Sequence, residues 1–145
     1  MNHGAGEFVK KTKIMRSKAT ILGILIASAI GVRAADVDIS KLPPASDKKD
    51  VTFAKDIKPI FEKSCFKCHG EEKQKGKLRV DSIAAIKKGG EDGEIVVSGN
   101  SGKSTLVHSI ARLDEDSAMP PEGKGDPLTK EQIGLVRAWI DQGLK

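Results

Sequence analysis

The sequence predicts an all-α domain of modest size. Two segments carry the prediction. Phe53, Ile57, Ile60 and Phe61 fall at i, i+4, i+7 and i+8, one face of a helix. Ile133, Val136, Trp139 and Ile140, at i, i+3, i+6 and i+7, make a second apolar helix face near the end of the chain. Between them nothing makes a convincing sheet, and no internal repeat is seen. A length of 145 residues suits one domain with extra segments at its ends.

The first of those segments, 1–34, reads as a secretory signal peptide. Lys10, Lys11, Lys13, Arg16 and Lys18 form a basic stretch, and an uncharged run of 14 residues follows from Ala19 to Val32. Val32 and Ala34 then stand three and one residues before a cut after Ala34. A retained membrane anchor is the rival, but a spanning helix needs about 20 apolar residues. Membrane association is expected only if this segment stays attached. Otherwise the protein is exported, to the periplasm.

Removing 1–34 takes away six of the 25 basic residues and one of the 20 acidic ones, leaving 19 of each. The net charge of +5 therefore belongs to the export segment and does not argue for nucleic acid. Residues 35–50 mix charge, Pro and Ser without apolar periodicity and read as a flexible lead-in. The folded domain then spans 51–145.

In its opening helix Pro59 removes a backbone donor, which predicts a kink or a helix of two halves. Leu78–Asp81 reads as extended. Ser82 caps a short helix over Ile83–Lys88, with Gly89 and Gly90 as its stop. Ser104, as a cap, opens a further helix to Arg112, and a loop runs from Asp114 to Leu128. Thr129-Lys130-Glu131-Gln132 is a capping box for the last helix, and Gly143 ends it.

Cys65-Phe66-Lys67-Cys68-His69 is a C-x-x-C-H sequence, the spacing of a c-type haem attachment. Thiols three positions apart reach the two vinyl groups on one porphyrin edge, and the next residue sets an imidazole under the iron. The expectation is one covalent haem c, with Cys65 and Cys68 as thioethers and His69 as proximal iron ligand. Three other chemistries compete. A closed zinc site needs four ligands, and His108 is the only further Cys or His after residue 34. A redox dithiol belongs to a βαβ pattern that is missing here. A disulfide over three residues closes a strained, tiny loop.

The distal iron ligand is expected to be Met119, the only Met after residue 34, in a loop stiffened by Pro120 and Pro121. His108 is the alternative, although a lone His in a helical pattern is more often a surface or half-buried residue. Gly99–Ser104 resembles a phosphate-binding loop but has Val97 where that pattern requires Gly. Lys73, Lys75, Lys77 and Arg79 form a basic patch of the kind that steers an acidic redox partner.

Several stretches together resemble the planctomycete-type cytochrome c domain. They are Phe53–Phe61, Cys65–Gly70, Leu78-Arg79-Val80-Asp81, Gly89-Gly90, Met119-Pro120-Pro121 and Leu135–Ile140. The likeness covers about residues 52–144. It implies a cytochrome c fold, a helical domain around one haem with first and last helices crossing. It implies the same attachment points and His69 and Met119 as ligands.

With both axial positions filled there is no open site for a substrate. The expected role is then one-electron transfer with redox protein partners, not enzymatic catalysis. A gas-binding or sensing haem domain, and an electron-entry subunit of a larger dehydrogenase or oxidase, are the alternatives. Arg79 is expected near a haem propionate.

Overall fold

The computed structural model describes residues 37–145. The proposed signal segment, 1–34, lies outside the described residues. Among those described there are five α-helices and no strands: α1 (Lys58–Ser64), α2 (Phe66–His69), α3 (Ile83–Lys88), α4 (Thr105–Ile110) and α5 (Lys130–Asp141). The all-α expectation holds. None of these helices is long and apolar enough to cross a membrane.

The opening helix has two unlike halves. Phe53–Ile57 is a π-helical turn, closed by the Lys58 amide donating to the Phe53 carbonyl, and α1 follows directly. Pro59 explains the join: it has no N–H to give to residue 55, and its ring presses on that carbonyl, so the turn before it widens. Phe53, Ile57 and Phe61 are buried in one cluster with the apolar face of α5, while Ile60 is half-buried.

On α5 the capping box forms in both directions. The Gln132 amide donates to Thr129 Oγ1 at 3.2 Å, and the Thr129 amide donates to Gln132 Oε1 at 2.9 Å. The buried face then carries Ile133, Val136, Trp139 and Ile140, and Gly143 at φ +93° supplies the stop. Trp139 is the largest fully buried side chain; its ring lies 5.6 Å from that of Phe53.

α3 starts with the Ala85 amide donating to Ser82 Oγ and stops at Gly89, φ +75°. α4 departs from expectation at both ends. Ser104 makes no side-chain cap; its hydroxyl accepts from the Val97 amide and donates to the Asn100 carbonyl, each at 2.9 Å. The capping side chain here is Asn100, which accepts from the Lys103 amide at 3.1 Å in the short turn Ser101–Lys103. In that turn the Ser101 amide donates to Asp141 Oδ1 at 2.7 Å. A carboxylate thus occupies a donor that a phosphate would need, in keeping with the rejected nucleotide motif.

Within the stretch read as a lead-in, residues 43–48 are hydrogen-bonded along α5. The Arg137 guanidinium donates to the Pro43 carbonyl, and the Ser46 amide donates to the Gly134 carbonyl at 2.9 Å. Gln142 bridges the Lys48 carbonyl (2.8 Å) and the Val51 amide (3.1 Å). Composition missed this strap because backbone groups hold it. A Cβ on Gly134 would stand 2.7 Å from the Pro44 carbonyl oxygen, too close for two unyielding atoms.

Gly134→Ala is therefore expected to destabilise the fold by about 1 kcal/mol. Overpacking costs ~1–3 kcal/mol and outweighs the roughly 1 kcal/mol that Ala contributes in a helix interior. Thermal unfolding and limited proteolysis check this: cleavage should appear within 43–48, and a more stable, equally resistant variant would contradict it.

Candidate haem site

Cys65 joins α1 to α2. Its amide donates to the Phe61 carbonyl at 2.7 Å, and its own carbonyl receives the amides of Cys68 (3.0 Å) and His69 (2.9 Å). This single turn sets positions i, i+3 and i+4 on one side, which brings both thiols and the imidazole together. The chain leaves through Gly70, where any Cβ would lie 2.5 Å from the Phe66 carbonyl oxygen. Val80, buried, then returns and donates its amide to the His69 carbonyl at 2.8 Å.

Cys65, Cys68 and His69 line a cleft. Ile110 at the end of α4, with Met119, Pro120 and Pro121, lines the same cleft, and Lys63, Lys67, Lys124 and Asp126 stand around it. Two hydrogen bonds fix the Met119 loop. The Met119 amide donates to the Ser109 carbonyl at 3.0 Å, and Arg112 Nη1 donates to the Pro120 carbonyl at 2.9 Å. Met119 is half-buried against the core, between buried Ala118 and buried Pro120; the Met119–Pro120 peptide is cis.

His108 takes another course. One ring nitrogen, Nε2, lies 2.7 Å from the Gly102 carbonyl, and the residue is not in the cleft. The structure thus brings Met119, and not His108, to the cysteines. Arg79 is also elsewhere. It pairs with Asp81 through Nε (3.1 Å) and Nη2 (2.7 Å), in a separate cleft with Lys58, Glu62 and Glu71. The Arg79 hydrogen bond holds the Asp81 carboxyl below the ordinary carboxylate range. The expectation that Arg79 serves a propionate is not supported, because a carboxylate two residues along already takes its guanidinium.

The donor set suits a covalently held haem. His69 Nδ1 is buried without a hydrogen-bond partner, a polar atom left unanswered by the protein beside the two thiols. Both cysteines are free. Burial, with a smaller contribution from Cys68, pushes the Cys65 thiol up to about 12. An activated C-x-x-C dithiol needs the opposite shift. A closed zinc site would need His108 as its fourth ligand, and that ring is bonded at the Gly102 carbonyl, outside the cleft.

Two thiols and an imidazole on one helical turn line a cleft together with a thioether, a donor set that could hold a haem. Residues 65–123 match the family model described as Planctomycete cytochrome C, from the first cysteine to just past the Met119 turn. The resemblance drawn from the sequence is thereby shown for this segment. No curated protein and no solved structure matches the chain.

Sequence reasoning missed Ile110, the Ser109 carbonyl and Arg112 as parts of the site. The apolar spacing of α4 could have flagged Ile110. The other two depend on how the chain turns after α4, which no residue pattern announces.

Proposed function

We propose that this chain is an exported c-type cytochrome with a cytochrome c fold, a one-electron carrier holding a single covalent haem. One observation carries the reading: Cys65, Cys68 and His69 share a cleft with Met119. Cys65 and Cys68 would hold the group through thioethers, and His69 and Met119 would ligate its iron. When bound, the haem supplies a ferric/ferrous couple. The chain's own part would be to supply His69 and Met119 as the two protein ligands and to limit water with buried Ile110 and Pro120. A thioether raises the potential by favouring ferrous iron.

Two protein ligands on the iron would favour a carrier over the gas-binding alternative and over catalysis. Partners are redox proteins that approach this cleft, where three lysines stand against one carboxylate; such charge acts mainly on encounter rate. A reductive titration of the purified, haem-loaded protein tests the reading. It should give one reversible one-electron step, and the reduced form should be inert to carbon monoxide. Rapid carbon monoxide binding would instead support the sensor.

Met119→Ala should lower the potential by roughly 100 mV or more, within the ~0.8 V over which axial ligands set haem potentials. The reduced variant should also bind carbon monoxide. An unchanged potential would remove Met119 from the site.

A further inference from the structure

We propose that Arg112 is a positioning residue, a latch that keeps the Met119 loop closed over the cleft. The inference rests on the reading of Met119 as the second protein ligand to the iron. α4 ends at Ile110, and the chain reverses at Arg112, which sits in the left-handed region at φ +55°. That conformation is uncommon for a residue with a Cβ, and glycine adopts it without strain. The Ser109 carbonyl receives two amides as a result, those of Arg112 at 3.1 Å and Met119 at 3.0 Å. The reversal therefore carries Met119 back onto the end of α4.

The Arg112 side chain acts on the far side of the same residue. Its Nη1 donates to the Pro120 carbonyl at 2.9 Å. Met119 is thus held at its own amide by α4 and at the next carbonyl by the guanidinium. Between Arg112 and Met119 the loop is polar and exposed at Asp114, Glu115 and Asp116, and buried Ala118 is its inner anchor. Thioether sulfur is a weak ligand whose position the protein must enforce. A charge-assisted bond beside it supplies that enforcement, since such bonds are stronger than neutral ones.

Arg112 thus has a backbone role and a side-chain role, and Arg112→Gly separates them. Glycine suits φ +55° and leaves the turn intact, while the latch is gone. The test uses haem-loaded wild type, Arg112→Gly and Arg112→Lys. Three quantities are read: thermal midpoint, carbon monoxide association by the reduced protein, and the sulfur-to-iron charge-transfer band of the ferric protein.

Arg112→Gly should keep or raise the thermal midpoint, weaken the band, and bind carbon monoxide about tenfold faster, the scale of one charge-assisted hydrogen bond. Arg112→Lys, which keeps a cationic donor, should recover most of the wild-type inertness. Wild-type band and inertness in Arg112→Gly would overturn the latch while leaving Met119 as ligand. A lowered midpoint with inertness retained would overturn it too, by making Arg112 purely structural. Rapid carbon monoxide binding by the wild type would sink the Met119 reading, and the latch with it.

Discussion

Protein carrying both Cys65→Ala and Cys68→Ala is expected to lose covalent haem entirely, falling from one haem per chain to none. The two sulfurs sit on a single turn because the Cys65 carbonyl gathers the Cys68 and His69 amides. Nothing else among the described residues can replace them, since these are the only cysteines in the chain. A haem-stained denaturing gel checks the result: wild type should keep its stain and the double variant should show none. Cys68→Ala alone should keep one thioether and a weaker, shifted signal. Stain of wild-type strength in the double variant would contradict the assignment of these thiols.

Trp139→Ala should be the most damaging substitution outside the site. The side chain is fully buried, packs its ring on Phe53, and donates Nε1 to the Lys145 carbonyl at 2.9 Å. That carbonyl also receives the Phe53 amide at 2.8 Å, so the indole ties the opening π turn, α5 and the chain end into one knot. Truncating a buried aromatic costs about 3–5 kcal/mol. At ~4 °C or more per kcal/mol for a domain of this size, the melting temperature should drop on the order of 15 °C. Trp139→Phe keeps a ring and loses the hydrogen bond, so its loss should be less than half as large. A drop of under about 4 °C for Trp139→Ala would mean that the core does not centre on this residue.

The parts of the molecule that follow from local rules were legible. The capping box at Thr129 and the stop at Gly143 mark α5, because each satisfies backbone groups at a helix end. Ser82 and Gly89 mark α3 in the same way. The Cys65, Cys68 and His69 spacing marks the candidate site, since one helical turn is enough to bring the three side chains together. Met119 was reached by elimination and by the prolines after it, and the structure sets it in the same cleft.

What stayed hidden depends on backbone groups meeting over long separations. The strap along α5 is held by carbonyls of Pro43 and Lys48 and amides of Ser46 and Val51, which carry no compositional signature. Pro59 announced a break but not its form, because widening to a π turn and kinking satisfy the same missing donor. Ser104 has the right residue type for a cap, yet its hydroxyl is taken by Val97 and Asn100. For Arg79 the competing partner was visible, since Asp81 stands two positions along. Arg112 gave no signal at all: left-handed backbone in a non-glycine residue is a property of the finished turn.

The pyridine haemochrome assay tests the central claim most directly, on protein exported and matured in a host that ligates haem. The account predicts one haem per chain, retained after acid–acetone extraction, with neither thiol open to alkylation. Colourless protein in which Cys65 and Cys68 both react with the alkylating reagent would contradict it.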